Sequence, residues 1–337
     1  MLKAFGIAAA FVGLVVVTLV VTAILRPAYT PAIGGANSIA ELDRLTIGGA
    51  PQYVLIRGRN AKNPILLFLH GGPGMPTMYL AHAFQRPLEQ RFTVVQWDRR
   101  GAGKSYSPQV PVDSMRVSRE IADTHELALY LIRRFHQSKI YLVGFSYGSY
   151  LGILVAQRYP KLFYAYVGIG QMACTTRQTE KYQREWIRRN ALAANNVEAL
   201  DELAGRKPID VERWLFQFGG EDRQMKNFLP LLWIGLHAPE YAFSDAMNVP
   251  RGVRFTHAHL EYDVIGSKSI AQAVPEAELP IYFFTGRYDE TDPHECTKAY
   301  FDRIRAPIKR LVWFDTAHFV FLEKPVEFAA AMSQVAR

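Results

Sequence analysis

The sequence predicts a doubly wound, mostly parallel α/β sheet with an inserted helical cap. Short β-like runs alternate with helical patterns over most of the chain, which is the order expected of strand–helix–strand units. Residues 171–276 break this rhythm, because they are helical in pattern, rich in charge and tryptophan, and without β alternation. The 337 residues, of which 49% are hydrophobic and 21% charged, suffice for one large domain with an insertion and exclude a disordered chain.

The chain begins with an apolar run, Phe5–Leu25, that contains no charged residue. Lys3 precedes the run and Arg26 follows it. At ~1.5 Å per residue the run matches the ~30 Å hydrocarbon core of a bilayer. The sequence therefore predicts a transmembrane helix at residues 4–26, and a single-pass membrane protein whose catalytic part lies outside the cytosol. A cleaved signal peptide, and hence a secreted protein, is the alternative, although signal peptides usually have shorter apolar regions.

The remaining segments follow in order along the chain. A Pro- and Gly-bearing tether at residues 27–38 leads into a first core part at 39–170, then the cap at 171–276 and a second core part at 277–337. The predicted strands are Leu45–Gly48, Tyr53–Arg57, Ile65–His70, Phe92–Trp97, Ile140–Phe145, Phe163–Ile169, Ile281–Thr285 and Arg310–Phe314. Apolar residues near 3.6 spacing predict a helix at Ser118–Phe135, and Ser146–Arg158 is predicted to form another.

Charge and metal-ligand patterns narrow the possible partners. A net charge of +8 would suit nucleic acid, an anionic membrane surface or an anionic substrate. No motif of a nucleic-acid-binding fold is present, so no nucleic-acid partner is expected. Two cysteines are too few for a four-thiolate zinc site, and His257 and His259 have no further ligand at a supporting spacing, so no metal site is predicted.

The sharpest motif is Gly144–Gly148, which reads Gly-Phe-Ser-Tyr-Gly at the end of a predicted strand and the start of a predicted helix. A serine on such a turn has a strained backbone, so the residues two positions away must lack bulk. The turn also places the hydroxyl of Ser146 at a helix N-terminus, where the dipole favours developing negative charge. Ser146 is therefore the candidate nucleophile.

A glycine-rich loop, His70–Gly74, follows an earlier apolar strand. Acyl transfer needs two N–H groups directed at the oxyanion, and these usually come from such a loop and from the residue after the nucleophile. We therefore expect Gly72 and Tyr147 to form the oxyanion hole. His70 is expected to shape the loop by hydrogen bonding rather than to act as a base.

The acid and the base are expected after the serine, in that order. Asp289 ends the strand that begins near Ile281 and is the candidate acid, with Glu290 and Asp292 as alternatives. His318 follows the last predicted strand and precedes the last helix, which makes it the candidate base. In this mechanism His318 accepts the Ser146 proton, Asp289 orients the imidazole, and water hydrolyses the acyl-enzyme, so that no cofactor is needed.

These motifs resemble those of α/β-hydrolases of the proline iminopeptidase (prolyl aminopeptidase) family, above all His-Gly-Gly-Pro-Gly at His70–Gly74 and Gly-Arg-Tyr-Asp at Gly286–Asp289. The resemblance spans about Leu45 to the C-terminus. It implies a serine peptidase that acts on short peptides from the amino end, beneath a helical cap. Tyr147 stands where members often have Trp, and Ala317 where Gly commonly precedes the histidine. The Trp-x-x-Trp-Glu pattern that supplies the amine-binding acid is missing.

The substrate is the least determined feature of the sequence. An aminopeptidase needs buried carboxylates for the substrate amine, and the candidates are Glu221, Asp222 and Glu185, which precedes Trp186. The first two follow a glycine pair that could present them to a cleft. A carboxylesterase for lipid-like or small esters is the alternative enzyme, and a non-catalytic binding protein on the same fold is the third hypothesis. A small molecule or short peptide is the expected substrate.

In the strand order of α/β-hydrolases, the strands that precede Cys174 and Cys296 are neighbours. Both cysteines would then emerge at the same edge of the sheet, where a disulfide could tie the start of the cap to the loop of the acid. Two unpaired thiols are the simpler expectation, because a disulfide needs Cα atoms within about 7 Å of each other.

Overall fold

The computed structural model describes residues 13–14, 17–18, 21–22, 25–260 and 269–336. Within these residues one eight-stranded sheet has the order β1-β2-β4-β3-β5-β6-β7-β8. The strands are β1 (Ile39–Ile47), β2 (Ala50–Gly58), β3 (Ile65–Leu69), β4 (Thr93–Asp98), β5 (Ile140–Phe145), β6 (Phe163–Ile169), β7 (Ile281–Gly286) and β8 (Lys309–Phe314). The pairs β1–β2 and β2–β4 are antiparallel and the others are parallel. The predicted doubly wound, mostly parallel sheet is confirmed.

The sequence of the central strands explains their position. Strands β3, β4 and β5 are buried along their whole length, as expected for parallel strands that are covered on both faces. Strands β1 and β2 are longer than predicted and form a hairpin around Gly48 and Gly49, both of which have positive φ. The sequence prediction missed most of β1, because an edge strand is only half buried and its exposed positions are polar.

The helices are α1 (Ala81–Phe84), α2 (Val117–Arg134), α3 (Tyr147–Arg158), α4 (Thr176–Ala193), α5 (Val197–Leu203), α6 (Val211–Phe218), α7 (Leu229–Leu236), α8 (Phe243–His259), α9 (Ile270–Ala273), α10 (His294–Arg303), α11 (Val320–Glu323) and α12 (Pro325–Val335). Helices α2 and α3 agree with the predicted helices to within one residue at each end. Between β6 and β7 the described residues form α4 to α9, and we refer to residues 170–280 as the insertion.

The insertion has a small core of its own and three kinds of link to the rest of the domain. Its core includes Ile187 and Trp214. Tyr241 donates its O–H to the buried carboxylate of Asp98 at the end of β4, and Lys104 pairs with Asp245. Cys174, at the start of the insertion, is disulfide-bonded to Cys296 in α10, with 5.5 Å between the Cα atoms. The simpler expectation of two free thiols was therefore wrong.

The predicted transmembrane helix requires a correction. Most of residues 4–26 lie outside the described residues, and within the described part of the chain no helix has both the length and the apolar character to cross a membrane. The membrane-spanning helix at 4–26, the membrane as a partner, and the single-pass localisation that depended on them are therefore not supported. The prediction was made from hydropathy alone, and apolar length is not sufficient evidence for a spanning helix.

Candidate active site

Ser146 occupies a strained turn between β5 and α3. Its backbone has φ 52° and ψ −124°, a conformation that side-chain-bearing residues rarely adopt, and its N–H donates to the carbonyl of Ile169 at 2.9 Å. A Cβ on Gly144 would lie 2.2 Å from the carbonyl oxygen of Gly148, and one on Gly148 would lie 2.2 Å from that of Leu69. Both glycines are therefore required by close backbone contact, which explains the motif.

Asp289 and His318 meet at the carboxyl ends of β7 and β8. His318 Nδ1 lies 3.0 and 3.1 Å from the two carboxylate oxygens of Asp289. Asp289 Oδ1 also accepts the backbone N–H groups of Thr291 and Asp292, at 3.1 and 3.0 Å. These bonds fix the carboxylate and orient the imidazole, leaving Nε2 as the ring nitrogen available for chemistry. Gly170 lies against this pair, since a Cβ there would be 2.8 to 3.0 Å from His318 and Asp289 atoms.

Neither alternative acid is hydrogen-bonded to the imidazole of His318 in the described part of the chain. Glu290 faces His294, with 3.7 Å between Oε1 and Nδ1, and makes no hydrogen bond to His318 among the described residues. The carboxylate of Asp292 is buried, and its Oδ2 has no hydrogen-bond partner among the described residues. Asp289 is therefore the carboxylate that is paired with the histidine.

Three carboxylates surround the imidazole of His318. Burial by itself lowers the pKa of His318, but Asp289, Glu221 and Asp292 outweigh it and raise the pKa to about 10. Burial raises the pKa of Asp292 to about 8, only partly opposed by His318 and by the Ser146 hydroxyl. Burial likewise raises the pKa of Glu221 to about 7. Near neutral pH these side chains therefore retain protons that the same side chains would have lost in water. Such raised pKa values are common where catalytic groups are found.

The loop His70–Gly74 lies directly beside the serine. A Cβ on Gly71 would be 3.1 Å from Cβ of Ser146, and Gly72 has φ 106°. His70 holds the loop in place, because its Nε2 accepts the N–H of Arg99 at 3.3 Å and its Nδ1 lies 2.9 Å from the carbonyl oxygen of Gly71. Burial and then the charge of Arg99 lower the pKa of His70, so the ring is neutral and suited to this structural role.

Tyr147 begins α3 immediately after the serine. Its side chain is fully buried, and its hydroxyl donates to Oε2 of Glu120 at 2.8 Å. Glu120 in turn pairs with Arg99, with 3.2 Å between Oε1 and Nε. The tyrosine ring thus points into the core and connects the serine turn to the glycine loop through Arg99, which leaves the backbone of Tyr147 as its contribution to the site.

A cavity of about 710 Å³ opens above Ser146 and His318. Its walls are mostly apolar and come from the segment after the glycine loop and from α6, α7 and α8 of the insertion. The polar side chains on its walls, besides the serine and the histidine, include Thr77, Gln183, Glu212, Glu221, Arg254, His257 and Thr291. Such a cleft, largely apolar with a few polar groups near a reactive centre, is the usual form of a small-ligand site.

The three candidate amine-binding acids lie in different places. Glu221 is buried, lines the cavity and accepts a hydrogen bond from the hydroxyl of Thr291. Asp222 accepts the backbone N–H groups of Gln224 and Met225 at 2.8 and 2.7 Å, so its carboxylate is used in a turn. Glu185 is 60% exposed on α4 and pairs with Lys181. The structure therefore brings Glu221 to the site and leaves Asp222 and Glu185 away from it.

One group among the described residues has metal-ligand atoms close together. Ligand atoms of Glu290, His294 and Glu295 lie within 4.8 Å of one another, beside the loop that carries Asp289. Among the described residues that line the cavity no such group occurs.

Comparisons with known proteins agree with this geometry. The sequence model of the alpha/beta hydrolase fold matches residues 64–325. "Probable aminopeptidase YbaC" of Bacillus subtilis (strain 168) is 35% identical over 312 residues, which cover 89% of this chain and 98% of that protein. "Proline iminopeptidase" of Thermoplasma volcanium is 31% identical over 107 residues, which cover 32% of this chain and 34% of that protein.

The crystal structure of the proline iminopeptidase of Mycobacterium smegmatis has a similar fold. Its TM-score with this chain is 0.67 at 19% sequence identity, and the match covers 87% of this chain and 97% of that one. The predicted resemblance to the proline iminopeptidase family is confirmed, and the chain is a hydrolase. With a family match over most of its length, a relative aligned almost end to end and a sheet of the same type, the chain belongs to the alpha/beta hydrolase fold family.

Proposed function

We propose that the chain is a serine hydrolase with Ser146 as nucleophile, His318 as general base and Asp289 as the acid that orients it. The strained turn at Ser146 and the two contacts between His318 Nδ1 and Asp289 support these roles. His318 Nε2 accepts the serine proton as Oγ attacks the substrate carbonyl, and the imidazolium then protonates the leaving group. Water, activated by the same histidine, hydrolyses the acyl-enzyme.

The backbone N–H groups of Gly72 and Tyr147 are the proposed oxyanion hole. The loop of Gly72 lies against the serine, as the short distance between a Cβ on Gly71 and Ser146 indicates. Tyr147 is the first residue of α3, so its backbone N–H lies at the N-terminus of the helix that begins directly after the nucleophile. Two such donors stabilise the negative oxygen of the tetrahedral intermediate, and each contributes about 3 kcal/mol to the rate in comparable sites.

The proposed reaction is the removal of amino-terminal residues from short peptides. The observation that carries this proposal is the buried carboxylate of Glu221, which lines the apolar cavity next to His318. A protonated α-amine is the substrate group that such a carboxylate pairs with, and apolar walls suit a side chain such as that of proline. The names of the relatives, an aminopeptidase and proline iminopeptidases, support the same substrate class.

Substrate profiling tests the proposal. Aminoacyl arylamides with a free amine, prolyl arylamide among them, should be hydrolysed far faster than their N-acetylated forms, because blocking the amine leaves the Glu221 carboxylate without its partner. Labelling of Ser146 by a fluorophosphonate serves as the control for an active nucleophile. Efficient hydrolysis of short acyl esters, together with indifference to N-acetylation, would overturn the aminopeptidase assignment and leave the serine hydrolase standing.

A carboxylesterase is the second candidate function. The apolar residues that line the cavity from α7 and α8, among them Leu231, Leu232, Val249 and Val253, favour it because they would accept an acyl chain as readily as an amino-acid side chain. The same profile separates the two functions, since an esterase prefers acyl esters that have no amine.

A further inference from the structure

Two carboxylates and an imidazole beside the loop of Asp289 take no part in the mechanism described above. Oε1 of Glu290 lies 3.7 Å from Nδ1 of His294, and Oε2 of Glu295 lies 3.4 Å from the same nitrogen. All three atoms lie within 4.8 Å of one another. None of these three side chains lines the cavity above Ser146. They form a separate group, which we call the loop cluster.

The carboxylates of the loop cluster have no partner outside it in the described part of the chain. Glu290 is only 3% exposed, yet its carboxylate accepts no hydrogen bond there, and its ion-pair contact is with His294. Oε2 of Glu295 is also buried and has no hydrogen-bond partner, and neither lysine nor arginine pairs with this carboxylate. Two carboxylate oxygens that are buried so close together lose solvating water and repel each other. The loop cluster is therefore suited to hold a positive ion.

The distances in the loop cluster are close to those around a small divalent ion. Zinc lies about 2.0 to 2.2 Å from a histidine nitrogen or a carboxylate oxygen, and tetrahedral angles then separate neighbouring ligand atoms by about 3.3 to 3.6 Å. The distances of 3.7 and 3.4 Å from Nδ1 of His294 are already near this range. The two carboxylate oxygens are no more than 4.8 Å apart, and the side chain of Glu295 is 38% exposed, so it has room to move closer.

The ligand types favour zinc over magnesium and calcium. Mg²⁺ and Ca²⁺ prefer sets of oxygen ligands, whereas an imidazole nitrogen beside carboxylates suits zinc and similar transition metals. Three protein ligands leave the fourth tetrahedral position to water. His294 and Glu295 are 26% and 38% exposed, so an ion can reach the loop cluster from solvent.

Hydrogen bonds from outside the loop cluster hold its backbone in place. Nε2 of Gln183 on α4 donates to the carbonyl of Glu290 at 3.1 Å, and the N–H of Glu290 donates to the carbonyl of Gly220 at 3.0 Å. The N–H of His294 donates to the carbonyl of Asp289, also at 3.0 Å. Because these bonds order the ligands before an ion arrives, less conformational freedom is lost on binding.

We propose that Glu290, His294 and Glu295 bind one zinc ion, which stabilises the connection between the loop of Asp289 and the first turn of α10. Nδ1 of His294 lies 3.3 Å from the carbonyl oxygen of Asp289, and a proton on this nitrogen is released to solvent when zinc binds. The ion neutralises the two buried carboxylates. The site is structural, and it does not depend on which substrate the cavity accepts.

Zinc titration of the full chain tests the proposal. The purified protein is treated with EDTA, dialysed, and titrated with ZnCl₂ by isothermal titration calorimetry. We expect one zinc ion per chain and a thermal unfolding midpoint that rises with the zinc concentration, because the ion binds the native state. Loss of a residue that merely orients a metal ligand already lowers affinity by about 10- to 100-fold. Glu290→Gln, His294→Gln and Glu295→Gln should therefore each weaken binding by at least about 10-fold.

Two variants serve as matched controls. Asp302→Asn removes an exposed carboxylate from the same helix, but one that pairs with Lys298. His259→Gln removes an exposed histidine of the insertion. Both should bind zinc within about 2-fold of the wild type, since neither change touches the loop cluster. Glu295 is the ligand whose replacement is least disruptive to folding, and fluorophosphonate labelling of Ser146 checks that each variant is folded.

Two results would overturn the assignment. If the wild type binds no zinc at concentrations up to about 1 mM and its unfolding midpoint does not rise, the loop cluster is not a metal site, and His294 alone compensates the carboxylates. If zinc binds but all three variants of the loop cluster bind it as tightly as the wild type, the ion occupies other side chains.

Discussion

At the level of single residues, the site depends on one imidazole that is paired with Asp289 and close to two further acids. His318 is held by its Nδ1 contacts and packs against the ring of Phe145, with 4.7 Å between ring centroids. The pairing sets the tautomer, and the ring contact sets the direction of Nε2. Ser146 and His318 should therefore behave as one unit rather than as two independent contributors.

We predict that Ser146→Ala and His318→Ala each lower kcat by about 10⁴- to 10⁶-fold, and that the double variant is little worse than either single one. Steady-state kinetics with the best arylamide substrate measures both effects. Far-UV circular dichroism should be unchanged, because each substitution is small and local. Losses that add, or a Ser146→Ala enzyme that retains turnover, would contradict the catalytic assignment.

Some of these residues could be predicted from sequence and others could not. Ser146, Asp289 and His318 follow strands in a fixed order, and an added Cβ on either glycine beside Ser146 would lie only 2.2 Å from a backbone oxygen. Local pattern alone therefore predicts that the three side chains lie at one edge of the sheet. The environment of Asp292 and Glu221 depends on tertiary burial. Glu185 looked equivalent to Glu221 in sequence, but it lies on the exposed face of a helix. The sequence around Glu185 does not predict which face of this helix is exposed.

At the level of elements, the ends of the strands position the site, and the residue after β6 is an example. Gly170 has φ 51° and its Cα hydrogens face His318 and Asp289. A side chain there would need both a left-handed backbone and space that the imidazole occupies. The turn after β6 therefore packs against the imidazole of His318 without contributing a side chain.

We predict that Gly170→Ala lowers kcat by about 100-fold while the protein remains folded, because a displacement of the imidazole by a fraction of an ångström disturbs the geometry of proton transfer. Gly205→Ala is the matched control, since Gly205 also has positive φ, 77°, but an added Cβ there meets nothing within 4 Å. The two variants should lose similar backbone stability and differ in kcat. Equal kcat values would show that Gly170 does not support His318.

The elements themselves were largely predictable, with one instructive failure. All eight strands were predicted because buried β runs bounded by turn residues are distinctive, and only β1 and β2 have ends that differ from the prediction by more than one residue. The helix at residues 4–26 was predicted from a single property, the apolar length of the run, and is not supported. An amphipathic strand or helix is recognised by the alternation of buried and exposed residues along its sequence. A uniformly apolar run has no such alternation, so its length was the only property available for the prediction.

At the level of the whole molecule, the disulfide joins two parts of the chain that are far apart in sequence. Cys174 and Cys296 have a sequence separation of 122, and the segment between them includes the helices of the insertion and β7. Closing so long a loop restricts the unfolded chain strongly. The disulfide also connects the start of the insertion to the helix that follows the acid loop.

We predict that the Cys174→Ser, Cys296→Ser double variant has a free energy of unfolding lower by about 3 kcal/mol, because the unfolded chain regains the entropy of the open loop. Urea denaturation of the oxidised wild type and the variant measures the difference. Reduced wild type should match the variant, which separates loop closure from side-chain effects. A variant as stable as the oxidised wild type would show that the disulfide contributes no net stability.

The pKa shifts of buried acids make stability depend on pH. Burial raises the pKa to about 7 for Asp98, Glu221 and Glu323, and to about 8 for Glu290 and Asp292. In the unfolded chain these groups ionise near pH 4, so around neutrality the native state binds more protons than the unfolded state. Each group therefore lowers the free energy of unfolding as the pH rises towards its native pKa.

His318 acts in the same direction, because its pKa is raised in the native state and its stabilising charge is lost as the pH rises through about 10. Histidines whose pKa is lowered by burial, such as His70, have the opposite effect, but only below about pH 6.5. We predict that the free energy of unfolding falls between pH 7 and 9, measured by urea denaturation at constant ionic strength. Glu290→Gln should flatten the slope, and a stability that rises over this range would contradict the prediction.

The contacts of Gly220 and Glu221 divide the cleft into two sides of different character. The carbonyl of Gly220 accepts the N–H of Glu290, and that of Glu221 accepts the N–H of His318, each at 3.0 Å, so this side is joined by main chain to the loops of the acid and the base. The opposite side is formed by side chains of α7 and α8. Mutations on the second side can alter the acyl group that fits without moving the histidine. In descendants of this enzyme, substitutions that change the substrate preference should accordingly occur mainly in α7 and α8. Residues on the Gly220 side should be substituted more slowly.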